Sequence, residues 1–120
     1  MRAHHFVVAT VAVTVVALPA ASGFARPMLS LNVPVRITNT SCVLAYTSVS
    51  HRNTRIVFGI FNNGSVAHGF DISGKYKSGL IQPGQEKTLV ANFGRPGAYR
   101  YACVAPHSTV KKGVFTIRKT

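Results

Sequence analysis

Acidic residues are nearly missing from this 120-residue chain: Asp71 and Glu86 stand against fourteen lysines and arginines, for a formal net charge of +12. Two carboxylates so far apart exclude the paired acids of glycoside hydrolysis and an oxygen-rich Ca²⁺ or Mg²⁺ cage. Tryptophan is absent, so a modest core has to be built without it. Helical periodicity is lacking beyond the first residues, and so are internal repeats and low-complexity tracts. The basic residues are scattered, with no arginine-rich arm, zinc-finger spacing or aromatic stacking motif, so no nucleic acid is expected as a partner. No serine sits beside a base and no nucleotide loop is visible. An enzyme is not expected.

What the chain does carry begins with "MRAHHFVVATVAVTVVALPAASGFA". Arg2 supplies a positive start, Phe6 to Leu18 form an apolar run too short to span a bilayer, and small residues follow. Residues 1–25 therefore read as an export signal, cut after Ala25 or Gly23, and residues 26–120 as one mature domain, periplasmic or extracellular. Its charge favours anionic partners, an acidic protein or an anionic membrane surface. Cys42 and Cys103 both survive the cut, and two cysteines in an exported chain ordinarily form one disulfide.

From Pro27 onward the pattern is all β. "LNVPVRIT" and "SCVLAY" are short branched runs, and "RIVFGIFNNGS" runs into an Asn-Gly turn. "HGFDISG" sets His68, Phe70 and Ile72 on one face. "IQPGQ" and "GRPG" are turns on either side of "KTLVANF". "AYRYACV" puts Tyr99, Tyr101 and Cys103 on a common face, and "GVFTIRK" closes the chain. About seven short strands with frequent turns point to a β-sandwich.

Three residues carry the chemistry. His4 and His5 fall in the export segment, and His51 in the polar turn "SVSHRNT". That leaves His68 and His107, each where a strand meets a turn, and Cys103 on an inward face. Two imidazoles and one thiolate, without a carboxylate, suit a single copper ion cycling between Cu(I) and Cu(II) in a trigonal His₂Cys arrangement with a weak axial contact. The competing reading keeps Cys103 as a core residue bonded to Cys42, with no metal.

At these residues the chain resembles a cupredoxin, or blue copper domain. The resemblance spans roughly Val35 to Ile117. It rests on the Asn-Gly turn before His68, on Pro83-Gly84, on Pro96-Gly97-x-Tyr99-x-Tyr101-x-Cys103 and on the final strand from Gly113. It implies an eight-stranded Greek-key sandwich with His68, Cys103 and His107 as metal ligands. It also implies an asparagine, Asn62 or Asn63, tying the loops of the site together.

Two departures stand out. Only Val104, Ala105 and Pro106 separate Cys103 from His107, a spacing between the family's shorter and longer patterns. The usual axial methionine is missing, because the only methionines are Met1 and Met28. Lys111 or Lys112 stands in its place, which leaves the axial position to Lys111 or to the Ala67 backbone carbonyl.

The resemblance implies a small monomeric electron carrier that meets an acidic redox partner. Copper carriage without electron transfer is the first alternative. The second is a metal-free structural or interaction module closed by a Cys42–Cys103 disulfide.

Overall fold

The computed structural model describes residues 30–50 and 55–119, and the proposed export segment and His51 lie outside them. The described chain is all β, in nine strands. They are β1 (Ser30–Ile37), β2 (Cys42–Leu44), β3 (Ser48–Ser50), β4 (Arg55–Asn62), β5 (Gly69–Ile72), β6 (Tyr76–Lys77), β7 (Glu86–Asn92), β8 (Gly97–Ala105) and β9 (Ser108–Arg118). Four of them form one sheet in the order β2-β1-β4-β7, and five form the other in the order β3-β9-β8-β5-β6. Two pairings are parallel, β1 with β4 and β3 with β9. Parallel neighbours need long connections, so residues distant in sequence become edge-to-edge partners.

Alternation decides which side faces inward. Val33, Val35 and Ile37 of β1 and Ile56, Phe58 and Ile60 of β4 are all buried. Phe58 joins the layers, its ring centroid 5.1 Å from that of Phe70 and 5.5 Å from that of Phe115. Tilted and edge-on aromatic pairs of this kind contribute about 0.5–1.5 kcal/mol each beyond the area they bury. Phe93 extends the cluster to Tyr99 and Phe115. Aromatic contacts across the layers thus do the anchoring that tryptophan would do in many sandwiches.

Pro34 sits within β1, where a missing N–H would ordinarily break a ladder. The β1–β2 pairing ends at Val35↔Leu44, so Pro34 lies just beyond it, and its carbonyl accepts the Ala45 N–H at 2.9 Å. The chain then leaves the first sheet and enters the second as β3. That short strand and β6 are two elements that the alternation pattern does not announce. Each is held by its neighbour, β9 or β5, rather than by a hydrophobic run of its own.

β8 and β9 form a long hairpin with a bulge between Cys103 and Val104. Its last pair, Ala105↔Ser108, leaves Pro106 and His107 as a two-residue turn.

Candidate functional site

His68 lies just ahead of β5 and is 1% exposed. Its backbone makes a two-way bridge with Ile81, 3.1 Å from the His68 N–H to the Ile81 carbonyl and 2.7 Å in return. The ring is fixed as well. Nδ1 lies 3.2 Å from the Val104 carbonyl, and Nε2 lies 3.1 Å from Oδ1 of Asn39. The Asn39 amide is oriented by Ser65, whose backbone N–H donates to Oδ1 and whose hydroxyl accepts from Nδ2. Both ring nitrogens therefore face acceptors, and a neutral imidazole can donate to only one of them.

Gly64 closes over the Nε2 side. A Cβ there would stand 2.7 Å from His68 Nε2 and 2.5 Å from Asn39 Oδ1, so only glycine lets the loop approach this closely.

Asn62, wholly buried at the end of β4, resolves the choice between the two asparagines. Its amide donates to the carbonyls of Val66 and Ile81, each at 2.8 Å, and its oxygen accepts the Gly64 N–H at 2.8 Å. The expected tie to the Cys103 strand is not made by this side chain. His68 itself makes it, through Val104. Asn62 instead clamps residues 64–66 onto the Ile81 segment. A buried amide with every group satisfied rigidifies what it touches.

Cys103 lies on β8 opposite Phe70 of β5 and Lys111 of β9, with its side chain fully buried. Its sulfur is bonded to that of Cys42, with the two Cα atoms 6.3 Å apart. The bond crosses the sandwich, from β2 at the border of the four-stranded sheet to the interior of the five-stranded one. Tyr101 is buried on the same face and Tyr99 half-buried, as the alternation predicts.

His107 is exposed in the hairpin turn, and Lys111 is exposed opposite Cys103. Ala67, whose carbonyl is the other axial candidate, is half-buried beside His68. Among the described residues, no three or more His, Cys, Asp or Glu side chains gather closely enough to hold a metal ion.

The donor chemistry here does not fit copper while the Cys42–Cys103 bond is closed. A disulfide sulfur is no thiolate, and neither nitrogen of His68 has a lone pair directed at open space. Asn39 had no part in the sequence reading of this site, and Gly64 entered it only as the glycine of the Asn-Gly turn. Asn39 reaches His68 across 29 positions, a contact with no local signature.

The fold has known counterparts. No family model matches the chain, and no curated protein matches it either. Solved structures do. Auracyanin B, a cupredoxin, superposes with a TM-score of 0.58 over 78% of this chain and 92% of its own, at 16% identity. A copper-containing nitrite reductase from Thermus scotoductus gives a TM-score of 0.53 at 16% identity, over 76% of this chain and 28% of its own. A multicopper oxidase gives 0.52 at 15% identity, over 75% and 42%.

The described domain is cupredoxin-like in fold. Within that class, this chain carries a covalent bridge at the cysteine that sequence analysis assigns to the metal.

Proposed function

We propose that the chain is an exported, disulfide-closed cupredoxin-like domain that works as a metal-free interaction module in its oxidised form. The observation that carries this reading is the Cys42–Cys103 bond. It occupies the one sulfur a His₂Cys site requires, and it does so in the dry interior, where neither cysteine is open to solvent. The doubly engaged ring of His68 and the exposed placement of His107 support the same view.

The test is direct. Thiol alkylation of the purified mature domain unfolded in denaturant, read by mass spectrometry, should label no cysteine until a reductant is added. Cu(II) should raise no intense visible thiolate-to-copper absorption in the untreated protein. Two free thiols together with a stoichiometric coloured copper complex, lost in Cys103→Ala, would overturn the reading.

The fold favours a second reading. On reduction, Cys103, His68 and His107 would be the residues to hold copper, with Lys111 or the Ala67 carbonyl beside the axial position. The domain would then act as a single-electron carrier or a copper carrier. Copper added after reduction and desalting separates the two. Colour that requires Cys103 and weakens in His68→Ala supports the copper reading, and a colourless protein supports the module.

A further inference from the structure

The outer face of the five-stranded sheet carries more cationic side chains than the outer face of the other sheet, where Arg36 and Arg55 accompany Glu86. On the four-stranded sheet, Arg36, Phe61 and Glu86 lie side by side in register, so a cation and an anion flank one aromatic ring. On the five-stranded sheet, Lys77, Asp71, Ala102 and Lys112 form one cross-strand row, and Arg100 and Val114 the next. Asp71 has Lys77 directly opposite it, so the anion of this face already has a cationic neighbour. Arg100 and Lys112 have no acidic residue directly opposite, their partners in the β8–β9 register being Val114 and Ala102. Asp71 is the diagonal neighbour of Arg100 across β5 and β8. Arg100 and Lys112 are both exposed, and neither is ion-paired among the described residues.

Between these two cations lies an open groove of about 510 Å³. Asp71 lines it along with Arg100 and Lys112, its floor is made of small residues, Gly74, Ala102 and Gly113, and Val114 beside it is 48% exposed. Gly113 is not free to change. On its inner side the Tyr101 ring lies where a Cβ would be, only 2.3 Å away. The core therefore holds this position of β9 to glycine.

Arg100 and Lys112 are diagonal neighbours across β8 and β9, a relation that places Cα atoms about 7–8 Å apart. Alternate residues of an extended chain are spaced by about 6.7 Å. We infer that this groove binds an extended acidic segment of a partner protein. Carboxylates at alternate positions meet Arg100 and Lys112, and small or apolar residues lie over Ala102 and Val114. The charge of the whole chain raises the encounter rate, while this face sets where the partner docks. The inference deepens the module reading by naming its partner's chemistry, and it rests on that reading.

The experiment uses the purified mature domain and a fluorescent peptide in which glutamate alternates with serine and valine, read by anisotropy at two salt concentrations. The expected result is binding that weakens with salt and falls about tenfold or more in R100E/K112E. The control R36E/R55E changes net charge equally on the opposite sheet and should stay within about twofold of the unaltered domain. Melting curves of both variants confirm that they are folded. Equal weakening in the two variants would show that net charge alone is responsible and would overturn the inference. So would binding of phosphatidylserine vesicles through Arg100 and Lys112 with no binding of the peptide. Copper uptake by the untreated domain would sink the module reading but would leave this comparison of faces intact, so the two failures are separable.

Discussion

Cys103 and His107 stand four positions apart and occupy opposite physical settings. Cys103 lies mid-sheet with strands on both sides, a covalent bond to the other layer and no contact with water. His107 stands in a two-residue turn, in solvent. His68 belongs with the cysteine, since its ring is held on one edge by the strand that carries Cys103 and on the other by the turn between β1 and β2. In sequence the three look like one ligand set. In space two of them are built into the sandwich, and the third decorates its end.

Breaking the bridge should have the largest effect. The bond spans 61 positions, a loop for which chain entropy predicts about 4 kcal/mol of stabilisation. Cys42→Ser/Cys103→Ser, or the reduced protein, should lose roughly that amount in urea denaturation. A loss below about 1 kcal/mol would mean that the bond does little to hold the layers together.

Next come the two buried polar groups. His68→Ala strands the Val104 carbonyl and Asn39 and opens a cavity, for an expected cost of roughly 2–4 kcal/mol. Asn62→Ala leaves one N–H and two carbonyls without their partner, for roughly 1–3 kcal/mol. Amide exchange at Gly64 should speed up in Asn62→Ala, because that N–H donates to the lost oxygen. His107→Ala should cost least, under about 0.5 kcal/mol, as expected for a solvated turn residue. If it proves as damaging as His68→Ala, the division between interior and tip is wrong.

Much of the fold was legible because alternation and turn chemistry are local. "RIVFGIFN" becomes β4 and "AYRYACV" lies within β8. Pro83-Gly84 falls between β6 and β7, and Pro96 stands just ahead of β8, which begins at Gly97. His68, Phe70 and Ile72 all face inward as their spacing implies. The site was legible only in part. Spacing showed that a thiol and an imidazole were near neighbours along the chain. It did not show that β8 and β9 pair up to Ala105↔Ser108 and so leave His107 outside. The Cys42 pairing stood as one of two readings, because a count of two cysteines permits a bond without requiring it. The contact between His68 Nε2 and the Asn39 amide oxygen was out of reach for a simpler reason. It depends on β1 lying parallel to β4, which sets the turn after β1 beside the turn after β4.

The bridge has one more consequence, for the relation between the two layers. Its two halves sit in different layers, so the closed bond requires β2 and β8 to face each other across the sandwich. A single covalent tie thus fixes the register of one layer over the other, at a point that solvent does not reach.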